Sequence, residues 1–354
     1  MRIGKISIVL FASAISLLLG MPTCAQTQSA DRSLASNSTA PLKLVGTFEF
    51  PSDEGGFDHL IADIPGHRLF TTPRAHKSVK VFDLQTRKLI HTIEGIEIPH
   101  ALLYRQDLSR LYVTDGGPGE LKIYDGKTYD LIKSVKLLVD TDPIAFDPVT
   151  KYLYVVNGGR DAKMTYSMLS VIDTTSGEKL DEMKIDGASL DAMVIEPSSQ
   201  RLYLDNVAKN QVEVIDRKSR TITASWPITL AEKSCVTITL DETHHRLFVG
   251  CRTGQIVVFD TENGKELQAL PINGGIDDLV YYPANKRLYA ACAGGAGSVD
   301  VFEEADPDHF KLLAQVSTGP GARNGRLEPE LKRYFSAVPQ HEGTNSKVLE
   351  FELQ

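Results

Sequence analysis

The residues with chemistry to offer are carboxylates, imidazoles and a guanidinium, set at a long and nearly constant interval. Asp58, His100, Asp142, Asp191, Asp277 and Arg323 follow one another at 42, 42, 49, 86 and 46 residues. The 86 is two steps, with Val236 at the intermediate place. His59 and Asp278 stand one residue beyond two of these positions. Several carboxylates with an imidazole can hold a hard divalent cation through oxygen. Carboxylates opposite Arg323 can instead hold a small polar organic ligand. With a metal bound, His100 would be a general base beside a polarised substrate, as a lyase or lactonase needs. The plainer alternative is that each Asp caps its own loop.

No Gly-x-Ser-x-Gly, phosphate loop, His-Glu-x-x-His or Cys-x-x-Cys is present. His244-His245 beside Asp241 could take a metal but reads as a solvated turn. A single tryptophan, Trp226, argues against folds that repeat Trp as a signature. Catalytic residues therefore stay unassigned, and no cofactor beyond a divalent cation is suggested.

The interval belongs to the whole chain. A triplet of a polar or aromatic residue, an aliphatic or aromatic one, then Tyr or Phe recurs seven times, from Arg68-Leu69-Phe70 through Arg110-Leu111-Tyr112 to Arg333-Tyr334-Phe335. Its period is about 44 residues. Each unit has an apolar run before the triplet and a third run ending in an acidic residue, such as Val81-Phe82-Asp83 or Val258-Phe259-Asp260. A fourth run follows. These are short β-branched and aromatic runs cut by turn residues, with no helical period. Four strands at this period make a propeller blade. The expected fold is all-β, a seven-bladed β-propeller over 42–354. The seventh unit stops after its third strand, and an orphan strand, Leu42 to Phe48, precedes the first. That N-terminal strand should close the last blade and leave no open sheet edge.

Stacked units turn positions into columns. Asp83, Asp125, Asp173, Asp216 and Asp260 should bond turn N–H groups, and Asp63, Asp147, Glu196, Asp241 and Glu328 also read as turn residues. The column of Asp58, His100, Asp142, Asp191, Asp277 and Arg323 opens the innermost strands and should ring one mouth of the central channel. Loops carrying Arg74, His76, Lys77, Arg160, Asp161, Lys163, Lys209 and Arg252 should open on the same face. A basic rim over an acidic throat suits a zwitterion, or an anion reaching inward.

Tyr112-Val113-Thr114-Asp115 and Tyr154-Val155-Val156-Asn157 resemble the Tyr-Val-Thr-Asn element of YVTN-repeat, YncE-like seven-bladed propellers. The resemblance covers about Leu42 to Gln354. It implies an exported binding protein, with single-stranded nucleic-acid binding attached to one branch of such proteins.

Arg2 and Lys5 precede an apolar run, Ile6 to Leu19, then Thr23-Cys24-Ala25. This reads as a signal peptide, 1–25, and a periplasmic or secreted product. Lipid anchoring at Cys24 is the lesser alternative. Residues 26–41 are polar and read as a flexible leader. No later stretch is long and apolar enough to span a bilayer. Export permits a disulfide, and Cys235 and Cys251 lie opposite one another across a hairpin. One-for-one pairing would set them off by a position. Cys292 should be a buried thiol.

The net charge of −8 becomes −10 once Arg2 and Lys5 are removed, which counts against nucleic acid. The leading expectation is a monomeric, exported, non-catalytic propeller that binds a small polar ligand or a protein at the Asp-rich mouth. Alternatives are a metal-assisted lyase or lactonase, and a single-strand binder.

Overall fold

The computed structural model describes residues 40–49 and 56–354. The expected signal peptide, Cys24 and nearly all of the expected leader lie outside the described residues.

Among the described residues the 28 strands form seven four-stranded antiparallel sheets, and there is no α-helix. Each innermost strand touches those of the two flanking sheets, and the last touches the first. The molecule is a seven-bladed β-propeller. Blade one runs from Phe57 to Ile93, and blades two to six follow in chain order. Blade seven takes Asn324–Glu328, Arg333–Val338 and Lys347–Leu353, and its outer strand is Leu42–Glu49. That strand pairs antiparallel with Lys347–Leu353, from Leu42 opposite Leu353 to Glu49 opposite Lys347. Phe48, fully buried, fixes the closure by packing between Phe82 of blade one and Phe335 of blade seven, at centroid distances of 5.7 and 6.0 Å.

Second and third strands alternate too little for a half-wet sheet because both faces are covered. The second strand of blade two, Arg110–Asp115, is buried from Leu111 onward. Each apolar cluster draws on two neighbouring blades, as where Leu111 and Tyr124 of blade two meet Phe70 and Val81 of blade one. Outer strands carry the polar alternation. No helix among the described residues is long and apolar enough to cross a membrane.

The turn columns are structural. Asp83, Asp125, Asp173, Asp216 and Asp260 each accept backbone N–H groups of the following turn. The Tyr-Val-Thr-Asn positions also have structural work. Thr72 Oγ1 accepts His59 N–H at 2.8 Å, and Thr114 Oγ1 accepts Ala101 N–H at 2.8 Å. Asp115 takes the N–H groups of Glu97 and Ile98, and Asn157 takes that of Leu138. The Thr therefore pins the innermost strand, and the Asn or Asp pins the link from the preceding blade.

Candidate functional site

The innermost strands carry a repeated irregularity at the ring positions. In blade one Phe57 pairs with Pro73 but Leu60 with Thr71; in blade two Pro99 pairs with Asp115 but Leu102 with Val113. Blades five and six repeat it, from Cys235 opposite Cys251 to Thr237 opposite Gly250, and from Ile276 opposite Cys292 to Asp278 opposite Ala291. Each is a bulge, one residue more on the inner strand than on its partner. Bulges re-aim side chains at sheet ends. Asp58, His100, Val236 and Asp277 all fall inside these bulges. In blades three and four the inner strands start later, at Ile144 and Met193, so Asp142 and Asp191 stand on the entering loops.

The same bulge sets the cysteine pair in register. Cys235 and Cys251 are direct partners and are disulfide-bonded, with Sγ atoms 2.08 Å apart. The one-position offset of simple pairing is absorbed by the extra residue. Cys292, at the Cys251 position of blade six, is a buried thiol. Burial pushes its pKa up.

At the mouth seven of the eight expected residues come together in two connected groups, with Asp191, the eighth, nearby. His100 Nδ1 lies 2.5 Å from Asp58 Oδ2 and 3.3 Å from Asp142 Oδ2. One ligand atom from each of Asp58, His100 and Asp142 lies within 4.8 Å of the other two. His59 continues the chain, 3.6 Å from Asp58 and 3.5 Å from Asp278. Asp278 also accepts Gly325 N–H at 2.9 Å. Asp277 is held by Arg252 and, at 3.2 Å, by Arg323. Gly116 leaves room for His100, because a Cβ there would stand 2.8 Å from His100 Nε2.

Two carboxylates remain without a dedicated cation. Burial raises Asp142 to about 7, with His100 opposing and Asp58 adding to the rise. Burial raises Asp191 to about 6, with Arg252 opposing and Asp277 adding. Asp191 makes no ion pair among the described residues. Burial would also raise Asp58, but its His100 hydrogen bond and the charge of His59 hold it below the ordinary carboxylate range. Burial pulls His59 down, yet Asp278 and Asp58 carry it up to about 10. His100 is likewise raised, against burial, by Asp142 and Asp58.

Asp142, Asp191 and His100 line a cavity of about 190 Å³, together with Arg74, Arg160, Asp161 and Arg252 from the loops. Below it the channel, about 250 Å³, is walled largely by apolar residues such as Leu60, Leu102, Ile144, Met193 and Leu279, with His59, Asp191, Asp277 and Asp278 also lining it. Column reading missed Asp140, whose carboxyl burial raises, and Asp205. Asp205 occupies the Thr position of blade four, fully buried, and neither of its oxygens has a hydrogen-bond partner among the described residues. Stacking the triplets two residues further would have shown it.

No family model matches the chain. It is 28% identical over 131 residues to proteins described as uncharacterized YncE from Salmonella typhi and Salmonella typhimurium. That stretch is 36% of this chain and spans only 37% of the length of those relatives. Among solved structures, a chain of Kuenenia stuttgartiensis hydrazine synthase aligns with a TM-score of 0.68 at 20% identity, over 81% of this chain and 94% of that one. A chain of a mitotic checkpoint complex aligns at 0.71 and 10% identity, over 97% and 99%. Both likenesses are of fold alone. The YncE relatives and the seven blades agree with the YVTN-repeat resemblance.

Proposed function

We propose that this YncE-like seven-bladed propeller is an exported binding protein whose Asp-rich mouth takes a small zwitterionic ligand. The observation that carries the reading is that Asp142 and Asp191 share one cavity with Arg74, Arg160 and Arg252. Asp142 and Asp191 are the carboxylates that gain most from an added positive charge, and they would receive an ammonium group. Arg160, which makes no ion pair among the described residues, would receive a carboxylate or similar anion at the rim. A cavity of about 190 Å³ is smaller than the ~300 Å³ at which drug-sized sites begin, so the ligand has the size of an amino acid rather than an oligomer or a protein segment. The N-terminal sequence and the Cys235–Cys251 bond support a periplasmic or secreted location.

Calorimetry of the mature protein against free amino acids and small betaines tests the proposal. Saturable binding lost in both Asp142→Asn and Arg160→Ala supports it. Binding of divalent metal alone, lost in Asp142→Asn and His100→Ala but kept in Arg160→Ala, would replace it with the second reading, a cation held by Asp58, His100 and Asp142. That reading rests on the 4.8 Å grouping of those three residues and is the one from which lyase or lactonase chemistry would follow.

A further inference from the structure

The far ends of the same strands carry a second cluster, at the opposite side of the ring from the mouth. In each blade the residue that follows the acidic residue of the third-strand column donates its N–H to the turn before the second strand, as Arg217 does to Gln200 and Glu304 to Lys286. This position faces the acidic end of the preceding blade's innermost strand. Between blades three and four the two residues are Asp147 and Arg217, a buried ion pair. Between blades five and six the equivalent residues are Asp241 and Glu304.

The acidic column supplies an internal control. Asp63 binds Arg68 Nε at 3.0 Å, Glu196 binds Arg201 Nε at 2.6 Å, and Glu328 binds Arg326 Nε at 3.0 Å. Each of these carboxylates, like Asp147, has a guanidinium. Asp241 has none. Arg246, which occupies the place of Arg68 and Arg201, turns instead to Asp308 at 2.8 Å. The side chains of Asp241 and Glu304 are each only 1% exposed. Glu304 Oε1 has no hydrogen-bond partner among the described residues. The nearest ammonium, Lys286 Nζ, is 3.6 Å away and 62% exposed. Glu304 Oε2 takes the Tyr281 hydroxyl, and Asp241 Oδ2 meets His244 Nδ1 at 2.5 Å.

We propose that Asp241, Glu304 and His244 form a divalent-cation site that stands where the other blades have an arginine. One ligand atom from each lies within 4.8 Å of the other two. In a tetrahedral zinc site with bonds of about 2.0–2.2 Å, ligand atoms stand about 3.3–3.6 Å apart, so side-chain movements of about 1 Å bring the set to bonding distance. Two carboxylates with one imidazole suit a zinc- or manganese-class ion better than calcium. His244, one-third exposed, leaves a side open for entry and for a water ligand. The ion would fasten blade five to blade six, as the guanidinium of Arg217 fastens blade four to blade three.

The test uses the mature protein stripped with chelator, then titrated with zinc or manganese ions alone. Wild type and Asp142→Asn should both bind an ion and melt several degrees higher with it. Glu304→Arg rebuilds the Asp147–Arg217 arrangement and should melt at a temperature that zinc and chelator leave unchanged. Should that variant fail to fold, His244→Ala, altered at a partly exposed turn, should weaken zinc binding at least tenfold. On zinc addition the His244 ring resonances should shift in wild type. The proposal is overturned if wild type binds neither ion, if Asp142→Asn alone abolishes binding, or if Glu304→Arg and His244→Ala both bind as wild type does. Failure of zwitterion binding at the mouth would leave all of these readouts untouched.

Discussion

His100 Nδ1 lies 2.5 Å from Asp58 Oδ2 and 3.3 Å from Asp142 Oδ2, so one imidazole separates two carboxylates of opposite tendency. Asp58 is held ionised, while Asp142 is raised to about 7. A ligand ammonium needs the ionised forms of Asp142 and Asp191. Affinity for a zwitterion should therefore be highest above pH 7 and fall as pH drops through 7 and then 6. The loss approaches tenfold per pH unit for each carboxylate that must lose its proton. Calorimetry at pH 5, 6, 7 and 8 reads this directly; affinity unchanged across that range would mean the two carboxylates do not touch the ligand.

The same shifts cost stability in the empty protein. Asp191 has a folded pKa of about 6, above the ~3.9 of an unfolded chain. Between those values the folded state binds more protons than the unfolded state, so stability falls as pH rises through that window. The charges that act on Asp191 are those of Arg252, Asp277, Asp140 and Asp58, and Asp142 and Asp205 also lie within its influence. Asp191→Asn should raise the melting temperature at pH 8 and have little effect near pH 4. Equal effects at both values would place the cause in packing rather than charge.

Much of this architecture was legible in the residues. The period of about 44 set the blade count, and the missing fourth strand of the last unit matched the orphan strand that ends in Phe48. The ring column placed Asp58, His100, Asp142, Asp191, Asp277 and Arg323 together because the first residues of equivalent strands must share one end of a ring. The bulges were not legible. Pairing register depends on a single extra residue, and nothing in Cys235-Val236-Thr237 announces it. The Asp241–Glu304 pairing was also hidden, since it joins different columns of different blades. Asp241 and His244 alone looked like a turn, and only the facing strand end of blade six changes that reading.

Ring closure gives a stability prediction. Phe48 is fully buried between blades one and seven and touches Phe82 and Phe335. Phe48→Ala should cost about 3–5 kcal/mol, read as a lower midpoint in urea. A loss below about 1 kcal/mol would show that the outer strand contributes little to holding the ring shut.

The Cys235–Cys251 bond closes a short loop, with a sequence separation of 16. Such a loop is worth about 3 kcal/mol by restriction of the unfolded chain. The double variant Cys235→Ala, Cys251→Ala should lose about 2–3 kcal/mol and should melt at a temperature insensitive to reductant. Wild type should fall toward it when reduced. An unchanged wild-type melting curve in reductant would mean that the bond contributes nothing to stability.

Asp205 offers the opposite sign. It stands where blades one and two have Thr72 and Thr114, whose hydroxyls accept N–H groups of their innermost strands at 2.8 Å. In blade four the Asp205 backbone N–H reaches Ala192 O at 2.9 Å, while both carboxyl oxygens lie buried without partners. Burial, with Asp191 adding, pushes this carboxyl well above its ordinary pKa, and no hydrogen bond among the described residues offsets that burial. A buried polar group without a partner costs about 1–3 kcal/mol. Threonine is smaller, and its hydroxyl can repeat the bond made by Thr72. Asp205→Thr should therefore stabilise the protein by about 1 kcal/mol at pH 7, measured by urea denaturation. A variant less stable than wild type would show that Asp205 does work at the mouth that a hydroxyl cannot replace.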